Sequence, residues 1–504
     1  VSGFLAGAGV LIAAAASAAA ILLPPGRLRS AAMLLALVLF PVLIVGDQWH
    51  NPQIVDLRNH TDRLIAAGAV AAVIVGALAY IFRRWRTLLP LAIVFVLPFR
   101  VPLHAGGESA NLLVPLYLVI AGGVAAALWR DWTAARAGGA DLGDHPDRGG
   151  GTKSATGPAR WLPPILAVVV VLYAVQTWYS ADFSKGLQNV CFFLVPFTVA
   201  FALLQDVRWD RRLLKWVLIV VGVEAALFVL IGSVEYVTRG LFWNDQIIRS
   251  NEFHTYFRVN SVFWDPNIYG RYLALVTVIA TAAMLWARTR NVFWLLSGLI
   301  LVLWLGLVPT FSQSSFLALL AGLAMLAAIR WSWRWTLGVV VVGAIGAILV
   351  VLLVGGSGKI TPDRLNVDLS GRGSLISGGV DLFGERPIEG YGSGSFQAAY
   401  REHRKDENNP VTVSHTEPVT VAAEQGLIGL IAYAALIVVA LWTLGRGLWD
   451  ASPSVAARAA VLAAFVALLV HTLAYAGFFE DPITWVLLAV GASLATVPAV
   501  REPA

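Results

Sequence analysis

The chain is 504 residues long, 58% hydrophobic and only 13% charged, against roughly 25% charged in an average soluble domain. That balance excludes an ordinary soluble fold, and a formal net charge of +6 is too small and too dispersed to argue for nucleic acid. One cysteine, Cys191, excludes a disulfide framework, a cysteine-rich zinc site and an iron–sulfur cluster held by this chain alone.

Apolar runs between charged breaks predict helices near 3–23, 31–47, 64–82, 87–99, 109–129, 161–179, 186–204, 214–237, 266–287, 292–309, 314–330, 335–354, 418–443, 456–477 and 483–499. Most have the length of about 20 residues that a bilayer core requires. The expected fold is therefore an all-α polytopic integral membrane protein with about 13–15 transmembrane helices and a long extracytoplasmic loop carrying short helices. The first run lacks a basic n-region and reads as a retained helix, not a cleaved signal. The fourth is short, but Arg83, Arg84 and Arg86 precede it and Arg130 and Arg136 follow the fifth, so 87–99 and 109–129 are expected to cross as a pair.

Basic loops recur at every second turn, at Arg27 and Arg29, from Arg83, in the 130–160 linker, from Arg208 to Lys215, at Arg288 and Arg290, at Arg330, and at Arg446 and Arg458. The positive-inside rule then places the N-terminus outside. Five regions follow: N-terminal membrane helices (1–129), a Gly-rich cytoplasmic linker (130–160), a membrane region with a first outer motif at 258–271 (161–354), a large outer loop (355–417), and C-terminal membrane helices (418–504).

Three predicted helices at the outer face open with an acid followed by proline: Asp265-Pro266, Glu417-Pro418 and Asp481-Pro482. Helix initiation explains each acid on its own, Glu417 being the poorest cap. All three helices also point free N–H groups and positive dipole ends outward, where a phosphate is favoured. Arg271 lies about 9 Å down the helix from Asp265, on the face it shares with Asn267. A charge at that depth needs a partner or a wet cavity, so Arg271 is either a functional cation or one half of an ion pair, with Glu424 the candidate partner. Arg258 reads as a solvated loop arginine or as a bidentate phosphate ligand.

His415, in Val-Ser-His-Thr-Glu-Pro, sits at a loop–helix junction. It is either a polar boundary residue or a base suited to a sugar hydroxyl. His471, inside an apolar run, is expected to be packed. Tyr391-Gly392-Ser393-Gly394-Ser395-Phe396 reads as a turn or as a phosphate cradle. The sequence has no HExxH, no GxxxxGK[ST], no GxSxG and no carboxylate cluster resembling a metal cage, so no metal and no cofactor are expected.

Three stretches together resemble the O-antigen ligase and polymerase superfamily. They are RVNSVFWDPNIYGRYLAL from Arg258, GRGSLISGGVDLFGERPIEGYGSGSF from Gly371, and SHTEPVTVAAEQGLIGL from Ser414. The resemblance implies a GT-C-like membrane glycosyltransferase of the bacterial plasma (inner) membrane, acting in cell-envelope biosynthesis on the extracytoplasmic side. Its implied partners are a polyprenyl-diphosphate-linked glycan, an acceptor glycan or glycolipid, and the lipid bilayer. It further implies that Arg258 and Arg372 contact the diphosphate and that His415 activates the acceptor hydroxyl, by single displacement with inversion and without a metal. Where many relatives show Ser-Arg, this chain reads Ser312-Gln313, and Gln313 is the substitute diphosphate ligand. Arg271 joins that set, with Asp265, Asn267, Glu417 and Glu424 in support. A polymerase of lipid-linked repeat units is the alternative within the class. A lipid-linked glycan transporter is the alternative outside it.

Overall fold

The computed structural model describes residues 3–105, 108–137, 157–242, 247–248, 251, 256–342, 372–404, 414–446, 448 and 454–496. Most of the 130–160 linker, the stretch 355–371 of the large loop and the second half of the run at 335–354 lie outside the described residues. The helices in chain order are α1 (Gly3–Leu22), α2 (Arg27–Asp47), α3 (Pro52–Asn59), α4 (Thr61–Arg84), α5 (Leu88–Val96), α6 (Val114–Ala137), α7 (Leu162–Thr177), α8 (Phe183–Leu204), α9 (Arg211–Thr238), α10 (Pro266–Leu285), α11 (Arg290–Leu307), α12 (Gln313–Arg330), α13 (Trp333–Val342), α14 (Arg372–Glu385), α15 (Phe396–Arg404), α16 (Glu417–Gly445), α17 (Val455–Thr472) and α18 (Pro482–Thr496).

Among the described residues, 11 helices are long and apolar enough to cross a membrane, and α7, α13 and α18 are shorter apolar helices. The chain is an all-α polytopic membrane protein at the level of its architecture. Its lateral surface carries large apolar side chains such as Ile65, Val73 and Leu295 at 70%, 71% and 73% exposure, a surface suited to lipid and not to water. The most enclosed span is α8, 78% buried, and the least is α4, 6% buried.

The expectation that 87–99 spans the bilayer is corrected. Helix α5 has nine residues and covers only about 13 Å. Pro98 and Pro102 remove amide donors just beyond it, and the chain continues extended through Arg100 into a small antiparallel hairpin, β1 (Val101–Ala105) with β2 (Glu108–Leu112), in which Val101 faces Leu112. Among the described residues, the hairpin is the exception to a helical architecture.

Helix α16 is broken. Gly426 has φ 62 and ψ −161 inside it, and a Cβ there would stand 2.2 Å from Ile388 O, so only glycine fits. The break frees the N–H groups of Leu427 and Ile428, which donate to Pro387 O (2.7 Å) and Ile388 O (3.3 Å). The Pro387–Phe396 turn therefore threads into the bundle between broken α16 and the chain from Gln176 to Gly186. Tyr179 Oη donates to Glu389 O, Ser180 Oγ to Ser393 O, and Ala181 N to Tyr391 O.

The upper end of the bundle holds the N-termini of α10, α12, α16 and α18. Arginines stack on tryptophans at the opposite end, Arg83 over Trp129, Arg160 over Trp161 and Arg330 over Trp286. Such basic and aromatic rings occur where helices leave the hydrocarbon.

Candidate functional site

Four backbone strains mark the upper end. The non-glycine residues with positive φ, among the described residues, are Arg239, Ser261, Phe311 and His415, and all four lie in its loops. Strain of this kind persists only where surrounding structure imposes it, and it clusters at functional sites.

Buried carboxylates hold the turns at this end, one of them directly at Ser261. Glu235, fully buried near the end of α9, accepts the N–H groups of Asn260 (3.1 Å) and Ser261 (2.7 Å). Glu417 accepts those of Gly477 (2.7 Å) and Phe478 (3.1 Å). Glu424 accepts those of Gly394 (2.7 Å) and Phe396 (3.1 Å). Each ties two amides of an upper turn to a helix, with charge-assisted bonds stronger than neutral ones.

Arg258 lies on the turn that Glu235 holds. Its Nε donates to Thr310 O at 2.8 Å and its Nη2 to Asn267 Oδ1 at 3.1 Å, while Asn251 bonds both of its backbone groups. Asp265 caps α10 by accepting the Asn267 N–H at 2.6 Å, with Pro266 in the first turn as the sequence predicts. Arg258, Asp265 and Asn267 are thus brought together at one helix end.

One turn deeper, the side chains of Arg271 and Asp481 are each only 4% exposed and stand 3.0 Å apart, Nη2 to Oδ2. The contact is an ion pair without the alignment of a hydrogen bond, because Arg271 Nε and Nη1 and Asp481 Oδ2 are buried without a hydrogen-bond partner. Asp481 Oδ1 meanwhile caps α18 by accepting the Ile483 N–H at 2.9 Å. The expected pairing of Arg271 with Glu424 is therefore corrected. Glu424 is committed to the Gly394 turn, and Asp481, weighed from sequence only as a cap, is the partner.

Arg100 joins this cluster, within electrostatic reach of Asp481, Arg271, Tyr475 and Tyr117. A water-sized cavity of about 20 Å³ separates the groups, lined by Arg100, Arg271, Tyr272 and Asp481 among others, and a polar void of that size is large enough for one water. Two arginines, Arg100 and Arg271, thus share Asp481, and the buried Glu417 lies within electrostatic reach of Arg271 as well.

His415 adopts φ 63 two residues before Glu417 and is partly buried. Ser414 Oγ brackets it by donating to Thr416 O at 2.8 Å. Thr416, not Glu417, occupies the N-cap of α16, so the acid-as-cap reading fails at this start: the Glu417 carboxylate leaves its own helix for the Gly477–Phe478 turn. That turn leads directly to Asp481, linking His415 to the Arg271 cluster through a short run of contacts.

Gln313 is the exposed first residue of α12, next to the Ser312 cap, which accepts the Ser315 N–H. Arg372 opens α14, and its side chain lies outside the described residues. The phosphate-cradle reading of 391–396 is corrected as well. Its N–H groups are already used, Tyr391 and Gly392 by Ala423 O and Glu424 O, Gly394 and Phe396 by the Glu424 carboxylate. His471 is fully buried, with Nε2 3.2 Å from Ser314 Oγ, the packed setting expected of it.

Residues 298–434 match the family model for O-antigen ligase. Over that stretch the chain is similar to the O-antigen ligase family. The matched stretch runs from α11 through the large loop into α16, and so includes Gln313, Arg372, His415, Glu417 and Glu424. Arg258 and Arg271 precede it, and Asp481 follows it. No curated protein matches the chain. The match supports an O-antigen-ligase-like function at the level of that family model.

Sequence reasoning passed over Glu235 and Arg100. Both carried a signal, since each is an ionisable residue inside or at the edge of an apolar run, where a charge calls for a partner.

Proposed function

We propose that this protein transfers a glycan from a polyprenyl-diphosphate carrier to an acceptor hydroxyl at the extracytoplasmic face of the bacterial inner membrane. The observation that carries the proposal is the convergence at one end of the bundle of Arg258 on Asn267, the buried Arg271–Asp481 pair with Arg100, and the strained His415 junction tied to the same turn. The basic and aromatic ring at the other end supports the sidedness.

In this reading the carrier's tail stays in lipid while Arg258, Arg271, Arg372 and Arg100 face its diphosphate, with Gln313 adding a hydrogen bond. Neutralising the diphosphate makes it a good leaving group, the electrostatic task that arginines share with divalent metals in other enzymes. The acceptor oxygen attacks the anomeric carbon from the face opposite the diphosphate, and its proton passes to the His415 imidazole. The anomeric C–O bond to phosphate breaks, configuration inverts, and polyprenyl diphosphate leaves with both bonding electrons.

The test uses protein in liposomes supplied with a lipid-diphosphate glycan and candidate acceptors, comparing wild type with His415→Asn. Asparagine tolerates the left-handed backbone and accepts no proton. Expected is acceptor-dependent release of free lipid diphosphate by wild type and its loss in the variant while carrier binding persists. Equal release by both proteins would discard His415 as the base. Movement of carrier across the bilayer without release would favour transport over transfer.

A further inference from the structure

Tyr256 and Phe311 stack at the upper surface, with ring centroids 4.6 Å apart and planes inclined by 30°. They remain 40% and 42% exposed. Both ride on the two chain segments that hold Arg258: Val259 N donates to Pro309 O at 3.1 Å, and Arg258 Nε donates to Thr310 O. Moving the Arg258 guanidinium would therefore move the rings.

Phe311 has φ 48, a left-handed conformation that disfavours a bulky side chain. Glycine or asparagine would fill such a turn with less strain, and the phenyl ring found there stacks on Tyr256 instead. In the chain Phe311 stands between the buried Thr310 and Ser312, and Gln313 just beyond is exposed. An exposed aromatic pair on the segments that hold an arginine suits an amphipathic ligand that is apolar on one face, polar at its rim and joined to an anion.

We propose that Tyr256 and Phe311 form a stacking platform for a pyranose ring of the lipid-linked glycan, the sugar attached directly to the diphosphate. The ring's C–H face rests on the aromatic pair, and its hydroxyls stay open to solvent. The inference rests on the reading of Arg258 as a diphosphate ligand, because that places the first sugar beside these rings.

The experiment measures binding of two probes to the full-length protein in nanodiscs: polyprenyl diphosphate, and the same carrier bearing one N-acetylglucosamine. Phe311→Gly removes the ring and suits its φ, and Tyr256→Leu keeps apolar bulk without aromaticity. Wild type is expected to bind the glycosylated carrier more tightly than the bare one. Each variant is expected to bind the bare carrier within twofold of wild type and the glycosylated carrier about 3- to 10-fold more weakly, while Tyr256→Phe binds both as wild type does. Equal weakening for both probes would show that the rings only brace Arg258, and no weakening for either would show that they contact no sugar. A wild type that binds neither probe would overturn the diphosphate reading itself, and the platform with it.

Discussion

Arg271 Nη2 lies 3.0 Å from Asp481 Oδ2 where neither side chain is more than 4% exposed, and the same carboxylate caps α18 through its other oxygen. One aspartate thus sets the helix start and compensates a buried cation. Asp481→Asn keeps the cap, since asparagine accepts the same N–H, but leaves Arg271 uncompensated. Breaking a buried pair from one side costs about 3–5 kcal/mol, so the variant should melt well below wild type in detergent. Adding Arg271→Met should recover most of that stability without restoring glycosyl transfer. A double variant as unstable as Asp481→Asn alone would argue against the pairing.

His415 offers a separation of fold from chemistry. In the left-handed region a non-glycine residue is disfavoured by roughly 1–2 kcal/mol, so His415→Gly should be as stable as wild type or slightly more so. Loss of a general base lowers turnover by about 10²–10⁴-fold, and that loss should appear in the same glycine variant. His415→Val, with a branched side chain at φ 63, should instead fold poorly. Melting temperature and acceptor-dependent carrier release, measured side by side on the three proteins, check the pattern.

The Glu424 clamp and the Gly426 break act together on the 387–396 turn. Glu424→Gln keeps one acceptor oxygen and brings an amide donor against a backbone N–H, so one of the two bonds at Gly394 and Phe396 is lost. An unsatisfied buried amide costs about 1–3 kcal/mol, and hydrogen exchange at those two positions should accelerate while the lipid-facing part of α16 is unchanged. Gly426→Ala should do more damage, because its Cβ meets Ile388 O at 2.2 Å in addition to the φ strain. An alanine variant with native stability would mean that the turn does not enter the bundle at this point.

What the sequence revealed, and what it hid, divides along a physical line. Periodicity in apolar residues identified the spans, and acid–proline pairs located the starts of α10 and α18, because those signals are local. Asp481 as the partner of Arg271 was hidden, since 210 residues separate them and nothing local distinguishes a cap from a cap that also holds a cation. The 387–396 turn misled for the same reason. Glycines that suit a phosphate cradle equally suit a chain inserted beside a helix break, and only the position of Glu424 shows which acceptor its amides found. Arg100 was overlooked because α5 was read as a full span, which put that arginine at a surface instead of inside the cluster.

A last prediction concerns acidity in the extramembrane α14–α15 pair. Tyr391 Oη donates to the exposed Glu385 carboxylate, which His403 Nδ1 also meets at 2.8 Å. The tyrosine bond foremost, with His403 behind it, holds this carboxyl below its ordinary value of 4.5. A depressed carboxyl contributes stability that is present above its unfolded value and is lost as pH falls through the folded one. The clasp between α14, the 391 turn and α15 should therefore be intact at neutral pH and should loosen only as the pH drops below about 4.5. Proteolytic nicking of α15 across a pH series in detergent would follow it, using an acid-tolerant protease. Glu385→Gln should show at neutral pH the looseness that wild type acquires in acid, and a Glu385→Gln protein with the wild-type pH profile would assign the transition to another group.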